Sequence, residues 1–389
     1  MPQFKAGAED KFRSVPGHSR SSCGTRGLAL RQARITGRFP ARDTFHRPAG
    51  LSTVSLPEPP SPPSPRDIAA AMRLAIDAAD RFRGATAPNP PVGCCLLDAS
   101  GLVLAVEAHR KVGTAHAEAA AIAACRSAGT LERIRTVVVT LEPCNHHGRT
   151  PPCTEAILST PARAVVIGAL DPNPSVSGGG AGRLARAGLA VTAMSDLPGG
   201  DAPAAACRDL IAPFCKRVTT GRPWVTVKQA LDPSGSMIPP PGVKTFTSEA
   251  ALRYAHALRR RADAVLTGSG TVLADDPDFT VRRVPDHPGR ERQLAILDRR
   301  RRVPGAYLAA AERRNLHAFV SDGIGAALDR LGAAGASEVL VEAGPAVLDS
   351  LAEAGLWDEW VVIRKGEGAE ADRAEVRRRD GGAQTFALA

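Results

Sequence analysis

The sequence predicts an α/β protein with two domains. Short segments rich in Val, Ile and Leu alternate with helical segments between residues 66 and 364, and such alternation is typical of sheets covered by helices on both faces. A Pro-Gly-Gly break at residues 198–200 divides the alternating region. The 389 residues also exceed the length of one domain of about 150 residues. We therefore expect a first domain at residues 66–200 and a second at residues 201–364.

In the first domain, helical and extended segments follow one another closely. Asp67 is a favourable N-cap residue and predicts a first helix that ends near Gly84. Strands are expected at 94–97, 102–106, 136–141, 164–169 and 189–192, with further helices at 116–127, from the Cys153 region and at 182–187. Residues 98–101 are typical of a hairpin turn between the first two strands.

The second domain repeats the alternation without an internal sequence repeat. We expect strands at 224–230, 264–267, 294–297, 338–342 and 360–363, and helices at 248–260, 326–334 and 346–354, with Ser248 as a possible cap. The strand at 360–363 is the last predicted element. Residues 365–389 are charged and Gly-rich, so we expect a frayed C-terminal tail.

Residues 1–65 differ in composition from the domains. They contain ten Lys or Arg and four Asp or Glu, so +6 of the formal net charge of +10 lies there and the domains carry only +4. The segment is rich in Arg, Ser, Gly and Pro and lacks a sustained apolar period, which predicts disorder. It could be an organellar transit peptide or an upstream extension from a misassigned start codon. The charge therefore gives little support for a nucleic-acid-binding surface.

The cysteines and the hydropathy pattern indicate a cytoplasmic protein that binds a metal. Eight cysteines occur in a long chain without a recognisable secretory leader, a pattern that favours reduced thiols over a disulfide framework. No apolar run approaches the ~18 residues that a membrane-spanning helix needs. We therefore expect neither membrane nor nucleic-acid partners.

Three side chains between residues 116 and 153 are candidate zinc ligands. His116 precedes Glu118 by two residues, and Cys144 and Cys153 follow about thirty residues later. One imidazole and two thiolates leave the fourth zinc position open for water, as in catalytic sites. Glu118 is positioned to exchange protons with that water, an arrangement typical of zinc-dependent base deaminases.

A closed structural zinc site is the main alternative. It requires a fourth protein ligand, and His146 or His147 is close enough in sequence to supply one. A glutamate beside His116 has no function in a closed site, which favours catalysis. The remaining cysteines have no comparable partners and are expected to be core or surface thiols.

Several motifs together resemble the bifunctional riboflavin-biosynthesis deaminase/reductase family. They are His116-Ala117-Glu118, the Leu141–Cys144 and His147–Cys153 segments, Pro88-Asn89-Pro90-Pro91-Val92-Gly93 and Asp171-Pro172-Asn173-Pro174. The most specific feature is the eight-residue gap between Cys144 and Cys153, since nucleic-acid and free-cytidine deaminases usually have a two-residue gap. The resemblance covers residues from about 68 to 364.

The resemblance implies a fold, two reactions and two cofactors. A cytidine-deaminase-like α/β/α domain would precede a dihydrofolate-reductase-like α/β domain. The first would deaminate a phosphoribosylated diaminopyrimidinone with Zn²⁺, and the second would reduce the ribose to a ribityl chain with NADPH. Glu118 would be the proton shuttle, and His116, Cys144 and Cys153 the zinc ligands. A homo-oligomer is possible.

Further site residues are expected in both domains. Arg149 could meet a substrate phosphate, and Asn89 could bind the base or ribose, although its Pro-rich segment could also be a simple turn. The resemblance implies NADPH contacts at Ala230, Thr271, Asp275 and Gly344, and substrate contacts at Arg259, Phe279, Arg282 and Glu342. Alone, Gly344-Pro345 would more often be just a tight turn, and Arg259 or Arg282 would more often be a solvated surface charge.

Three departures from the family pattern concern the second domain. Ser234 replaces an expected acidic residue, Thr245 replaces an expected aromatic residue, and residues 366–389 are too charged to predict the closing strands of the family. A deaminase with a degenerate reductase domain is therefore an alternative. A nucleic-acid-binding or editing deaminase is a further alternative, but an aromatic content of 4% provides few side chains for base stacking.

Overall fold

The computed structural model describes residues 62–146, 151–173, 178–239, 242–243, 245–367 and 370–388. The predicted disorder of residues 1–65 therefore falls almost entirely outside the described part of the chain. Arg149 and His147 also lie outside it.

The first sheet has the strand order β2-β1-β3-β4-β5. Its strands are β1 (Gly93–Leu97), β2 (Val103–Ala108), β3 (Thr136–Val139), β4 (Ala164–Ile167) and β5 (Ala190–Ala193). The hairpin strands β1 and β2 pair antiparallel, as do β1 and β3, whereas β3, β4 and β5 are parallel. The sheet is therefore mixed, with its parallel half beside the candidate metal ligands.

Helices cover both faces of this sheet. They are α1 (Pro65–Asp80), α2 (Ala117–Ser127), α3 (Cys153–Leu158), α4 (Gly179–Arg186) and α5 (Asp201–Thr220). Alternate residues of β1 serve the two faces: Cys94 packs in the core beneath α2, while Cys95 packs with Met72 of α1. Both thiols are fully buried, which explains why the strand is apolar on both sides.

The N-terminus of α1 corrects the predicted cap. Ser64 is the N-cap and Asp67 is the third residue of the helix. The Asp67 N–H donates to Ser64 Oγ at 3.3 Å, and the Ser64 N–H donates back to Asp67 Oδ2 at 3.0 Å. The two residues form a reciprocal capping box, so Asp67 contributes to the cap without being the N-cap.

Helix α5 was not predicted from the sequence. Its residues Ala204 and Cys207 pack against Met72 and Met194 in the core of the first sheet. Two prolines, Pro203 and Pro213, obscure its helical pattern, although the first lies in the first turn, where proline is tolerated. The predicted boundary at residue 200 thus separates this helix from the core that it covers.

The second sheet has the order β13-β12-β11-β6-β10-β7-β8-β9. Its strands are β6 (Trp224–Leu231), β7 (Ala264–Gly268), β8 (Arg292–Leu297), β9 (Leu316–Ser321), β10 (Glu338–Val341), β11 (Glu359–Arg364), β12 (Arg373–Arg378) and β13 (Ala383–Ala387). The six neighbouring strands β11, β6, β10, β7, β8 and β9 are parallel. Strands β12 and β13 add antiparallel pairs at the β11 edge. The helices are α6 (Glu249–Arg261), α7 (Ser269–Asp275), α8 (Gly305–Glu312), α9 (Ile324–Ala333) and α10 (Pro345–Ala354).

The expectation of a frayed tail after residue 364 is wrong, because β12 and β13 complete the second sheet. Ala374 is fully buried against α6, while Arg373, Glu375 and Arg377 alternate with it on the other face. Asp372, also fully buried, accepts the Ser248 N–H at 2.6 Å and the Gly366 N–H at 3.0 Å. Side chains of a strand alternate between its two faces. This strand can therefore bury one face in the core while the other carries charged residues.

The two halves of the Pro62–Ala389 unit meet at the amino ends of the second sheet. Arg83 Nη2 lies 3.4 Å from the buried Glu338 Oε2 at the start of β10, and Arg260 Nη2 donates to the Arg81 carbonyl at 2.7 Å. Gly84 has φ +80°, and a Cβ there would lie 2.5 Å from the Arg260 carbonyl oxygen. Only glycine permits this close approach.

Candidate metal centre and reductase site

The structure brings His116, Cys144 and Cys153 together. His116 is the N-cap of α2, Cys144 follows β3 and Cys153 is the first residue of α3. His116 Nδ1 lies 3.3 Å from Cys153 Sγ and 3.7 Å from Cys144 Sγ. A tetrahedral zinc ion with Zn–N of about 2.0 Å and Zn–S of about 2.3 Å separates such atoms by about 3.5 Å. The cluster therefore fits zinc.

The electrostatics of the two sulfur atoms also fit a cation. Hydrogen bonds from Cys153 and His116 lower the pKa of Cys144 to about 4 against the opposing effect of burial. The neighbouring Cys144 sulfur and burial raise the pKa of Cys153. Without a cation each sulfur atom thus disfavours a negative charge on the other, whereas a bound divalent ion would stabilise both thiolates.

No fourth protein ligand joins this cluster among the described residues. His146, the one described candidate for a closed site, is not part of it. An open position is the arrangement expected of a catalytic zinc site.

Glu118 lies in the first turn of α2 with only 3% of its surface exposed. Burial and the nearby Cys144 sulfur raise its pKa, although hydrogen bonding from its own backbone N–H opposes the shift. A carboxyl group with a raised pKa is suited to alternate between accepting and donating a proton. It has no competing ion-pair partner among the contacts of the described residues.

The structure adds His109, which sequence reasoning missed. This buried ring lies edge-on to His116, with a centroid separation of 5.2 Å. Its Nδ1 is 3.1 Å from the Ala115 carbonyl, which requires an N–H there, so its Nε2 is free to accept from Asn89 Nδ2 at 3.4 Å. His109 thereby links Asn89 to the metal ligands. The spacing of seven residues between His109 and His116 is the sequence feature that could have indicated this residue.

Glu142, within the Leu-Glu-Pro-Cys motif, anchors the N-terminus of α4. It is buried and accepts four backbone N–H groups, from Asp171, Gly178, Gly180 and Ala181, at 2.9–3.3 Å. A carboxylate at a helix N-terminus satisfies unpaired N–H groups and the helix dipole together. Sequence reasoning did not assign this residue a role.

Helix α4 in turn supports the segment between the two cysteines. Arg183 Nη1 donates to Asn145 Oδ1 at 2.9 Å, and Thr154 Oγ1 donates to the same oxygen at 3.1 Å. Asn145 follows Cys144 and Thr154 follows Cys153. The two ligand-bearing backbone positions are therefore tied to one another and to α4.

The expected cofactor residues lie at the carboxyl ends of β6, β7 and β10, where ligands bind in open α/β sheets. The Gly344 N–H, at the N-cap of α10, donates to Thr271 Oγ1 of α7 at 3.2 Å. Ala230 is the residue before the last in the neighbouring strand β6 and pairs with Ile363. Asp275, one helical turn after Thr271, is exposed at the end of α7.

The expected substrate residues of the second domain form one cluster. Arg259 donates from Nε and Nη2 to Glu342 Oε2 at 3.2 and 2.7 Å, and from Nη1 to the Thr280 carbonyl at 2.7 Å. Its guanidinium lies 5.9 Å from the centre of the Phe279 ring. Burial opposes ionisation of Glu342, but the charge of Arg259 outweighs it and lowers the pKa of that carboxyl.

Arg282 lies at the exposed end of this cluster. Its Nη1 donates to Asp278 Oδ2 at 2.5 Å and to Thr280 Oγ1 at 2.9 Å, and its side chain is 54% exposed. Arg282 is thus accessible to a ligand, whereas Arg259 is enclosed.

Ser234, the main departure from the family pattern, is engaged locally. Its hydroxyl and N–H donate to Asp232 Oδ1 at 2.7 and 2.9 Å, and the Ser236 N–H donates to the same oxygen at 2.8 Å. This is the pattern of an Asx turn. Thr245 similarly contacts Thr247, with 3.0 Å between the hydroxyl oxygens.

Comparison with known proteins decides the family. Residues 65–169 match the model of the cytidine and deoxycytidylate deaminase zinc-binding region, and residues 223–364 match the RibD C-terminal domain. Riboflavin biosynthesis protein RibD of Corynebacterium ammoniagenes is 38% identical over 295 residues, which cover 75% of this chain and 84% of that protein. The chain belongs to the RibD family. RibD of Escherichia coli is 33% identical over 327 residues, covering 75% and 85% of the two chains.

Solved RibD structures agree with this assignment. The Acinetobacter baumannii RibD structure superposes with a TM-score of 0.66 at 29% identity, covering 79% of this chain and 89% of that one. The deaminase/reductase of Thermotoga maritima gives a TM-score of 0.66 at 30% identity, with coverages of 77% and 87%. The predicted order of a deaminase domain followed by a reductase domain, in an α/β architecture, is confirmed.

The family assignment also confirms the predicted activity and cofactors. The protein is a bifunctional RibD enzyme of riboflavin biosynthesis, with a zinc-binding deaminase domain and an NADPH-dependent reductase domain. Neither a deaminase-only protein nor a nucleic-acid deaminase is favoured by these matches. In the described part of the chain, no helix is both long enough and apolar enough to cross a membrane.

Proposed function

We propose that the first domain deaminates a phosphoribosylated diaminopyrimidinone and that the second reduces the ribose of the product to a ribityl chain with NADPH. The observation that carries the first half is the cluster of His116, Cys144 and Cys153 with the buried Glu118 beside it. The Thermotoga maritima relative is described as a diaminohydroxyphosphoribosylaminopyrimidine deaminase and 5-amino-6-(5-phosphoribosylamino)uracil reductase, which supports this choice of substrate.

In the deaminase half, Glu118 is proposed to carry the proton transfers. Zinc held by His116, Cys144 and Cys153 would activate the attacking water. Glu118 accepts a proton from that water, delivers it to the ring nitrogen, and assists the departure of ammonia by a second transfer. Asn89, held by His109 at 3.4 Å, would orient the base or ribose. Arg149 remains a proposed phosphate contact outside the described residues.

In the reductase half, the carboxyl ends of the central strands are proposed to hold NADPH. The backbone around Gly344 precedes a helix and suits a cofactor phosphate, with Thr271, Ala230 and Asp275 lining the same edge of the sheet. Phe279, Arg282, Arg259 and Glu342 are proposed to bind the substrate. Because Arg259 is already paired with Glu342, the exposed Arg282 is the better candidate for the substrate phosphate.

We further propose that the deaminase domain extends from α1 through α5 and the reductase domain from β6 through β13. The packing of Ala204 and Cys207 in the first core supports this division. A fragment that ends at Thr220 should therefore fold by circular dichroism, and one that ends at Gly200 should not. A folded, monomeric fragment ending at Gly200 would contradict the division.

The proposed partners are small molecules, and the proposed location is the cytoplasm. Most of the basic excess lies in residues 1–65 rather than in the domains. Light scattering of the full chain tests the proposed homo-oligomer, since a mass equal to one chain of 40.6 kDa would contradict it.

The test of the deaminase assignment is ammonia release from the diaminopyrimidinone nucleotide. Removal of zinc by a chelator should abolish this activity, and added zinc should restore it. Glu118→Gln should lower the rate by about 10²- to 10⁴-fold while NADPH oxidation with the deaminated substrate is unchanged. The control is Glu132→Gln, since Glu132 is exposed and follows the C-terminal end of α2, whereas His116 of the cluster is at the N-terminal end of that helix. Undiminished ammonia release by Glu118→Gln would remove Glu118 from the mechanism.

A further inference from the structure

The segment after α7 adopts an unusual backbone conformation. Asp276 and Phe279 have φ of +40° and +54°, values that residues with a Cβ rarely adopt. Phe279 is nevertheless buried, with 3% of its surface exposed. A conformation of this kind persists only when neighbouring groups hold it in place, so the contacts of this segment identify what supports the proposed substrate residues.

Helix α6 supplies two of those contacts from side chains one turn apart, beside the Tyr307 hydroxyl, which donates to the Pro277 carbonyl at 2.6 Å. Arg259 donates to the Thr280 carbonyl at 2.7 Å, and His256 Nδ1 accepts the Arg282 N–H at 2.9 Å. His256 is 5% exposed, so the hydrogen bond is shielded from water. The histidine thus holds the backbone of the residue whose side chain is exposed for a ligand.

The hydrogen bond fixes the protonation state of the ring. Since Nδ1 accepts a backbone N–H, the proton of neutral His256 is on Nε2. Burial and the charges of Arg259 and Arg282 lower the pKa of His256 to about 4, although Glu342 opposes the shift. The ring is therefore neutral near pH 7, as an acceptor at this position must be.

We propose that His256 is a positioning residue of the reductase site. By accepting the Arg282 N–H, it holds the Phe279–Arg282 segment in the conformation that presents Arg282 to the substrate phosphate. The inference rests on the proposed substrate role of Arg282. It does not place His256 in contact with substrate or cofactor.

The test compares three replacements of His256 in the full-length enzyme. Asn places its Oδ1 near the position of the histidine Nδ1 and preserves the acceptor, whereas Gln places its oxygen one atom further out and Leu has none. We expect His256→Leu and His256→Gln to raise the reductase KM for the phosphorylated substrate about tenfold, as loss of a buried hydrogen bond predicts. His256→Asn should retain a KM near that of the wild type, and kcat should change less than KM in all three.

The deaminase activity of the same chains controls for folding. Ammonia release should be unchanged in all three variants, because the zinc cluster lies in the other domain. If His256→Leu is unstable, the difference between the Asn and Gln variants decides the question. Equal KM values for Asn and Gln, or a loss confined to kcat, would overturn the positioning role.

Arg282→Ala separates this inference from the proposal on which it rests. A raised KM in Arg282→Ala together with an unchanged KM in His256→Leu would overturn the role of His256 alone. An unchanged KM in Arg282→Ala would instead overturn the substrate role of Arg282, and with it the reason for His256 to be held there.

Discussion

Two buried histidines support proposed substrate residues, one in each domain. His109 accepts from the Asn89 amide, and His256 accepts from the Arg282 backbone. In each case the ring is buried and its pKa is lowered, chiefly by burial. A neutral imidazole is thus used as a fixed hydrogen-bond acceptor in both halves of the enzyme.

The lowered pKa of His256 predicts how stability depends on pH. The folded-state pKa of about 4 is below the ordinary value of 6.5, so between these values the unfolded chain binds more protons. The free energy of unfolding should therefore fall as the pH falls from about 6.5 to about 4. His256→Asn removes this contribution because its amide does not titrate.

Urea unfolding of the wild type and His256→Asn at several pH values measures the effect. The free energy of unfolding of the wild type should fall relative to that of His256→Asn as the pH is lowered through this range. A difference that is constant from pH 7 to pH 4.5 would contradict the lowered pKa.

Sequence reasoning selected His116, Cys144 and Cys153, which the structure brings together, and the nearby Glu118, because their spacing is typical of this chemistry. It could not identify His109, Glu142 or His256, since their roles depend on long-range contacts. Glu142, for example, accepts N–H groups from residues 29 to 39 positions later in the chain. Such contacts exist only after the sheet has brought β3 and α4 together.

At the level of elements, α4 is held unusually close to the metal-binding segment. A Cβ on Gly180 would lie 1.9 Å from the Pro143 carbonyl oxygen, which is the backbone one residue before Cys144. The glycine run at residues 178–180 therefore allows the amides of α4 to reach Glu142. Close packing thus requires glycine at position 180, whereas a Cβ on Gly178 or Gly179 would meet no atom within 4 Å.

Gly180→Ala should consequently destabilise the protein, while Gly179→Ala should not. The added methyl group at position 180 must displace backbone, with an expected cost of about 1–3 kcal/mol. Gly179 has open space around it, so alanine there should stabilise α4 by up to ~1 kcal/mol. Urea unfolding of both variants tests this pair, and equal stabilities would show that the close approach does not constrain the helix.

Two of the elements that sequence reasoning missed, α5 and β12, share a physical cause. Helix α5 contains two prolines, and β12 carries four charged residues in six, so local patterns argue against both. Tertiary contacts stabilise them: the first core covers one face of α5, and the buried Asp372 connects the start of β12 to α6. Local propensity is a weak guide where such contacts dominate.

At the level of the whole molecule, the two domains meet through one end of the reductase sheet. Arg83 contacts the amino end of β10, Gly84 contacts the C-terminal end of α6 just before β7, and Lys216 of α5 pairs with Asp358 just before β11. The order of the two domains was predictable from their motifs. This docking was not, because it depends on isolated residues that belong to no motif.

The docking has a consequence for the path of the intermediate. The proposed NADPH site is at the carboxyl ends of the same strands, and β6 alone, with 8 residues, spans about 26 Å at ~3.3 Å per residue. If NADPH binds there, we expect the deaminated nucleotide to leave one domain and to reach the other site through solvent. Joining the two domains in one chain would then fix the ratio of the two activities without providing a direct route between them.

Two variants that are each impaired in one activity should then behave like the intact enzyme when they are mixed. Glu118→Gln supplies only reductase activity, and Arg282→Ala supplies mainly deaminase activity. An equimolar mixture should therefore form reduced product at close to the rate of a wild-type sample that contains the same amount of each activity. The lag before NADPH oxidation should also be the same for the mixture and for wild type, because both share a free pool of intermediate. A markedly longer lag in the mixture would reveal direct transfer within one chain.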